Sequence, residues 1–157
     1  MDYIEYKLLN SLQKNARLTN LELAKQVGLS ASPCLRRVKS LEESGVITGY
    51  SAIINQNKVH LSVNVFVQVS LERQSEERLQ VFEEKIMEYR EVMEAYFMTG
   101  EADYLFRIVV KDLQAYEKFL KDNLTKIKAI ASIRSYFSLK QVTRKYNLPI
   151  VNPKNIK

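Results

Sequence analysis

The hydrophobic residues at the start of the chain recur at helical spacing. Ile4, Leu8 and Leu12 lie one helical turn apart from each other, which is the spacing of a stripe on one helix face. Asp2 stands just before this stripe, where a helix cap is expected. The pattern therefore predicts a first helix over Asp2–Leu12.

A second helix is predicted to begin at Thr19 and to end at Gly28. Thr19 and Glu22 have the spacing of a capping box, in which each side chain accepts a hydrogen bond from the backbone amide of the other residue. Gly28 suits the left-handed conformation that often follows the last helical residue. This helix is expected to bury Leu21 and Ala24, with Leu23 and Val27 as further candidates.

A third helix is predicted to begin at Ser30 or Ser32, either of which can cap it, and to run to about Ser44, before Gly45. Pro33 falls in its first turn, where the missing amide costs nothing. Helical spacing separates two faces of this segment. The apolar face holds Cys34, Leu35, Val38 and Leu41. The opposite face holds Ser32, Arg36, Lys39, Ser40 and Glu43, with Arg37 on its flank.

Three short helices with a tight turn at Gly28-Leu29 are typical of a helix-turn-helix, which places its third helix in the major groove of DNA. Arginine can pair with guanine edges or phosphates, and serine with base edges or phosphate oxygens. The predicted DNA contacts are Thr19, Asn20, Ser30, Ser32, Pro33, Arg36, Arg37, Lys39 and Ser40. A basic helix face is more often simply solvated, and Arg37 could instead be a structural ion-pair partner. Both alternatives stay open at this point.

The residues after the third helix change their period. Val46–Ile54 is β-branched and contains a glycine, as a strand or linker would be, and the polar stretch Asn55–Leu61 ends the first module. The N-terminal module is therefore predicted to be a winged helix-turn-helix. His60 is the only histidine and is expected to face solvent in this linker, and Cys34 is expected to be a small core residue.

The second half of the chain alternates strands and helices. Apolar and polar residues alternate over Ser62–Leu71, which predicts a strand. A helix is predicted over Ser75–Tyr89, with Ser75 as a cap and with Leu79, Phe82, Ile86 and Tyr89 on one stripe. Val92–Met98 and Tyr104–Lys111 are predicted to form a hairpin around the loop that contains Gly100.

Asp112 can cap a further helix, and Ser132–Val142 alternates again as a strand would. That helix is expected to carry Leu113, Tyr116, Leu120 and Leu124. The order β-α-β-β-α-β specifies an α+β, ferredoxin-like domain with both helices on one face of an antiparallel sheet. The other face keeps apolar residues with nothing left to cover them, which predicts an association surface and at least a dimer.

The expected organisation is a helix-turn-helix domain over residues 1–50, a linker strand or hinge over 51–61, a ferredoxin-like oligomerisation domain over 62–142, and a basic tail over 143–157. Charge supports this division: residues 1–60 hold eight Lys/Arg against five Asp/Glu, 61–139 hold eleven against thirteen, and 140–157 hold five against none. A basic end of this kind favours a polyanion partner but does not establish one. The tail could add DNA affinity or be a solvated end.

The start of the chain lacks the features of a signal peptide, and no apolar run approaches the length of a membrane span. A single cysteine cannot form an internal disulfide. We therefore expect a cytoplasmic protein that does not bind membranes. No cofactor, metal site or catalytic residue is expected.

Several runs of residues resemble the Lrp/AsnC family of transcription regulators, also called feast/famine regulators. The resemblance covers nearly the whole chain, and the run over 29–38 is its most specific part. The matching runs are residues 17–24, 29–38, 41–47 and 99–105, with 132–140 and 148–150 similar to one branch of the family.

The resemblance implies a DNA-binding regulator that forms a homodimer, assembles into an octamer or a related ring, and binds a small effector such as an amino acid between dimers. It implies that Gly100 turns the effector loop, that Asp103 meets an ammonium group and that Thr99 meets a carboxylate. The effector contacts implied by the resemblance are Met98, Thr99, Gly100, Glu101, Asp103, Tyr104 and Ile133. Gly and Asp also make ordinary hairpin turns, so that alternative remains open.

Two other functions are alternatives to the predicted transcription regulator. Ferredoxin-like domains include enzymes, but one histidine and one cysteine far apart, without a phosphate-binding glycine loop, do not assemble a catalytic or metal site. An architectural protein that binds DNA with little sequence preference is the second rival, because basic surfaces alone give non-specific binding.

Overall fold

The computed structural model describes residues 1–72 and 76–151 of the chain. These residues form two compact units. The first unit contains Met1–Ile53 together with the described part of Val142–Lys157, and the second contains Ile54–Gln141. Among the described residues, no helix combines the length and the apolar character that a membrane crossing requires.

The first unit is built on three helices: α1 over Tyr3–Lys14, α2 over Asn20–Val27 and α3 over Ala31–Glu43. The predicted caps are confirmed at two starts. Asp2 and Thr19 each form a capping box with the glutamate three residues later. Gly28 ends α2 with φ of 77°, in the left-handed region that favours glycine. Ser30 is the N-cap residue of α3, but its side chain makes no capping hydrogen bond.

The core of the first unit lies where the three helices meet. Its buried residues are Leu8, Leu9, Leu23, Ala24, Val27, Cys34 and Leu41. The prediction that Leu21 and Leu35 point inward is wrong, because they are 57% and 45% exposed. On α2 the buried stripe runs through Leu23 and Val27, and a residue two positions before Leu23 points to nearly the opposite side of the helix.

The segment after α3 is irregular rather than a strand. Val46–Ile54 contains no regular element, so the linker alternative describes it, and a short 3₁₀ turn follows at Gln56–Val59. Two hydrogen bonds tie the start of this linker to α3: the Ile47 amide donates to the Leu41 carbonyl at 3.0 Å, and the Tyr50 hydroxyl donates to Glu42 at 2.8 Å. Burial, together with Glu42, raises the pKa of Tyr50 to about 12.

The second unit has the predicted β-α-β-β-α-β order. Its strands are β1 over Val63–Leu71, β2 over Val92–Phe97, β3 over Tyr104–Val110 and β4 over Ile130–Phe137. Its helices are α4 over Glu76–Met87 and α5 over Leu113–Asp122. The sheet is antiparallel with the spatial order β2-β3-β1-β4. The predicted cap Ser75 lies outside the described residues.

The core of this unit lies between one face of the sheet and the two helices. Val65, Val67 and Val69 of β1 are fully buried there, and Phe82 of α4 and Phe119 of α5 pack in the same cluster. The side chain of Asp112 accepts the Ala115 amide at 2.7 Å, so the predicted cap of α5 is confirmed. Leu113 is 62% exposed, contrary to expectation, and Leu124 is fully buried in a 3₁₀ turn after the helix.

The other face of the sheet, which we call the open face, carries the alternate residues of each strand. It exposes large rings in part, since Phe66, Tyr96 and Tyr136 are 38%, 51% and 51% exposed. A polar network lies at its centre: Arg107 donates to Glu94 at 2.7 Å and to Asn64 at 3.0 Å. The open face is therefore an aromatic surface with a paired charge in the middle, which the alternation pattern alone did not predict.

The C-terminal segment packs against α1 within the first unit. The Leu148 amide donates to the Gln13 side chain at 2.6 Å, and Gln13 donates back to the Leu148 carbonyl at 3.3 Å. Ile150 packs against the core of the three helices. Residues 148–150 are thus neither a free end nor an independent tail, but part of the unit that contains the helix-turn-helix.

Replacing Ile150 by alanine should destabilise the first unit, because a half-buried side chain leaves its core. We expect a loss of about 1–2 kcal/mol in the free energy of unfolding, below the range for a fully buried isoleucine. Hydrogen exchange of the α1 and α2 amides measures this loss directly. Leu148→Ala is the matched control, since Leu148 is 69% exposed. Equal protection in the two variants would contradict the packing of the segment.

Candidate functional site

The outer face of α3 presents the side chains predicted to contact DNA. Ser32, Arg36, Lys39 and Ser40 are all exposed, and they lie on the side of the helix away from the buried Cys34 and Leu41. Pro33 is half-buried in the first turn, and Ser30 is exposed just before it. The structure thus brings two cations and two hydroxyl groups together on one accessible helix face.

Arg37 differs from the other basic residues of α3 because it braces α3 against α1. Its guanidinium lies 2.5 Å from the Asp2 carboxylate and 3.6 Å from that of Glu5. The Glu5 amide and the Arg37 guanidinium lower the pKa of the Asp2 carboxyl. The structure therefore favours the ion-pair role that the sequence left open for Arg37.

Thr19 and Asn20 hold the helix-turn-helix together at the start of α2. The Thr19 hydroxyl lies 2.7 Å from Glu22, and the side-chain amide of Asn20 donates to the Ala31 carbonyl at 2.8 Å. Asn20 thereby links the first turns of α2 and α3, the two helices whose mutual angle defines the motif. Its Oδ1 atom is buried and has no hydrogen-bond partner in the described part of the chain.

A cavity of about 230 Å³ lies beside the loop between β2 and β3. Four residues predicted to contact an effector border it, namely Met98, Thr99, Glu101 and Tyr104. Gly100 lies in the same loop with φ of 137°, a conformation that only glycine adopts without strain. The remaining lining residues are Gln68, Ala102 and Leu105. Sequence reasoning missed Gln68, because the alternation of β1 shows its face but not which residues lie opposite.

Asp103 ties the loop to β1. Its carboxylate accepts the Leu71 amide at 2.7 Å, and its own amide donates to the Val69 carbonyl at 3.0 Å. The Asp103 carbonyl accepts the Met98 amide at 2.8 Å, which closes the loop. These contacts give Asp103 the turn-forming role that the sequence left open beside ammonium binding.

Tyr104 and Ile133 lie on the helix-covered side of the sheet. Tyr104 is only 3% exposed, and its hydroxyl donates to Glu83 at 2.8 Å. Burial and the Glu83 carboxylate raise the pKa of Tyr104. Ile133 pairs with the buried Val69, so its side chain points into the core. The structure therefore does not bring Ile133 to the cavity, and the ring of Tyr104 contributes to the core.

A larger cavity of about 530 Å³ lies between α4 and the residues before β4, and it contains none of the predicted site residues. Its Lys85 already pairs with Glu88 at 2.6 Å. The smaller cavity is therefore the better candidate for an effector site, because the predicted effector contacts of the loop border it. Within residues 1–72 and 76–151, no group of three His, Cys, Asp or Glu side chains could hold a metal ion.

Replacing Asp103 by alanine should destabilise the second unit even without any effector, because the Leu71 amide loses its acceptor in a part-buried hydrogen bond. The expected loss is about 1–3 kcal/mol. Asp103→Asn is the matched control, since it keeps an oxygen acceptor at the same place while removing the charge. Urea unfolding followed by circular dichroism compares the two. If Asp103→Ala were as stable as the wild type, the turn-forming role would be wrong.

Two family models match the chain: a winged helix-turn-helix DNA-binding domain over residues 1–48 and the Lrp/AsnC ligand binding domain over residues 64–148. The chain is 46% identical over 142 residues to the Bkd operon transcriptional regulator of Pseudomonas aeruginosa, with 90% of this chain and 93% of that protein covered. That relative is a transcriptional regulator, which excludes the enzyme alternative.

Solved structures agree with this comparison. An AsnC family transcriptional regulator from Agrobacterium tumefaciens matches with a TM-score of 0.90 and 41% identity, covering 95% of this chain and 97% of that one. A transcriptional regulator from Neisseria meningitidis, solved in complex with L-methionine, matches with a TM-score of 0.89 and 36% identity, covering 95% and 96%. With both of its domains matched, the chain belongs to the Lrp/AsnC family of transcriptional regulators.

Proposed function

We propose that this regulator reads DNA through the outer face of α3 and that an α-amino acid, bound at the loop between β2 and β3, controls it. The DNA contacts are Arg36, Lys39, Ser32 and Ser40, with Ser30 and Pro33 at the start of the helix. Arg37 and Asn20 act mainly by positioning α3. The observation that carries the proposal is that α3 exposes Arg36 and Lys39 while Arg37 is paired with α1.

The ion pairs of Arg37 distinguish its role on α3 from the roles of Arg36 and Lys39. Arg37 is already neutralised by two carboxylates, so its approach to a phosphate would require those contacts to be given up. Arg36 and Lys39 are exposed beside hydroxyl groups that can reach phosphate oxygens or base edges. Arg36 is the better candidate for base reading, because a guanidinium can donate two parallel hydrogen bonds to guanine.

The cavity beside the loop suits a small effector. It is smaller than the pockets that hold drug-sized ligands, and its walls combine Met98 and Leu105 with polar groups. The regulator from Neisseria meningitidis was solved with L-methionine, which supports an amino acid as the effector class here. Met98, Thr99, Gly100 and Glu101 are the proposed contacts, and Asp103 shapes the loop.

The proposed oligomer is a homodimer formed through the open face and assembled further into an octamer or a related ring, in the cytoplasm. Phe66, Tyr96 and Tyr136 give the open face the aromatic character of an interface core. Arg107 enters such an interface already paired with Glu94, which avoids the cost of burying a lone charge.

A gel-shift with DNA from upstream of the protein's own gene tests the regulator directly. Random competitor DNA and each of the twenty amino acids are added in turn. Specific binding that one amino acid alters supports a DNA-binding regulator under amino-acid control and identifies the effector. Binding that random DNA competes away equally would instead favour an architectural protein.

Arg36→Ala should weaken specific DNA binding by about 1–3 kcal/mol and relax the base preference at one position of the site, if the contact is bidentate to guanine. Arg36→Lys should keep affinity for random DNA but lose the base preference, because lysine keeps the positive charge but cannot donate two parallel hydrogen bonds to one base. Lys7→Ala, on the exposed side of α1, is the control for loss of one positive charge. Unchanged affinity and base preference in both Arg36 variants would remove Arg36 from the interface.

Phe66→Arg should convert the homodimer into a monomer, because an unpaired charge would enter the centre of the open face. Sedimentation velocity measures the change in mass. Val81→Arg is the matched control, since Val81 is 63% exposed on α4, away from the open face. A Phe66→Arg protein that still sediments as the wild type would show that association uses another surface.

A further inference from the structure

An ion pair joins the effector loop to β4. The Arg134 guanidinium lies 3.4 Å from the carboxylate of Glu101, which borders the 230 Å³ cavity. Within a single chain both side chains are open to solvent, with 62% and 89% of their surface exposed. An exposed pair of this kind contributes about 0–1 kcal/mol, so a bound molecule can replace it at little cost.

The strand register places Arg134 beside the cavity for a second reason. Arg134 lies directly opposite Gln68 on the neighbouring strand β1, and Gln68 borders the cavity. Directly opposed residues of antiparallel strands point to the same face of the sheet, with their Cβ atoms about 5 Å apart. The Tyr136 hydroxyl donates to Gln68 at 3.2 Å, so a second β4 side chain contacts a residue that borders the cavity.

The described residues that border the cavity provide no positive charge for the carboxylate of an amino acid. The residues that border it include one carboxylate, that of Glu101, and none of the bordering residues described carries a positive charge. Thr99, which the family resemblance assigns to the effector's carboxylate, offers only a neutral hydroxyl. A guanidinium binds carboxylates far better, because it can donate two parallel hydrogen bonds to one carboxylate.

We propose that Arg134 binds the α-carboxylate of the effector and that Glu101 binds its α-ammonium group. In this arrangement the zwitterion takes the place of the Arg134–Glu101 ion pair, so that each charge exchanges one partner for another. The ligand class is therefore an α-amino acid with both groups free. This inference rests on the proposed function, since it names the residues that recognise the effector at the proposed site.

The test uses the full-length protein and isothermal calorimetry. L-methionine is the first probe, followed by the other amino acids, and the tightest binder is compared with its own carboxamide, which lacks the carboxylate. The wild type should bind the acid at least tenfold more tightly than the amide. Arg134→Gln should lose at least tenfold in affinity for the acid and lose the preference over the amide, whereas Arg134→Lys should keep part of both.

Two further variants separate recognition from general damage. Lys128→Gln removes one exposed positive charge elsewhere in the same unit and should bind the acid as the wild type does. Glu101→Gln should weaken binding of the acid and the amide alike, because both carry the ammonium group. Thermal unfolding of each variant verifies its fold.

The outcomes distinguish this inference from the proposed function. Wild-type affinity and acid preference in Arg134→Gln would overturn the role of Arg134 while leaving the effector site in place. If no amino acid binds the wild-type protein, the amino-acid effector and the role of Arg134 both fail, and specific DNA binding in the gel-shift stands or falls separately.

Discussion

The pairing of β1 with strands on both of its sides is the constraint on which the second unit depends. Val65, Val67 and Val69 are fully buried against the helices, so β1 has only one register that keeps them there. A slip by one residue would place polar side chains in the core and expose the valines. The same register places Gln68 beside Leu105 on one side and Arg134 on the other. The core of the sheet therefore determines which side chains meet beside the loop between β2 and β3.

The first unit depends instead on hydrogen bonds to the free backbone groups at the ends of its helices. Capping boxes begin α1 and α2, and Gly28 ends α2, so short helices stop where the turn requires it. Contacts between helices then orient α3: Arg37 pairs with residues of α1, and Asn20 bonds the start of α3. Ile150 completes this core from the far end of the chain, so the DNA-binding unit includes residues at both ends of the sequence.

The elements were readable from the sequence because their signals are local. Capping boxes, helix-ending glycine and two-residue alternation act within a few positions, so the predicted helices and the first three strands lie within a few residues of those observed. The last strand was predicted over Ser132–Val142 but spans Ile130–Phe137, so the prediction that it continues to Val142 is wrong. Which side of a short helix is buried was harder to predict from the sequence. Leu21 is exposed although it is apolar, because the eight residues of α2 make too few turns to show which side is apolar. For two candidate site residues, contacts with residues distant in the sequence favour a structural role over the predicted effector contact. Asp103 bonds the backbone of β1, and Ile133 points into the core.

The sequence by itself determined the fold class, the helix-turn-helix, the outward basic face of α3 and the loop around Gly100, because each depends on neighbouring residues. The tertiary structure decided which charges are paired. It bound Arg37 to Asp2, placed Arg134 against Glu101 across 33 positions of chain and packed Ile150 on α1. Such contacts depend on strand register and helix packing, which spacing along the chain does not specify.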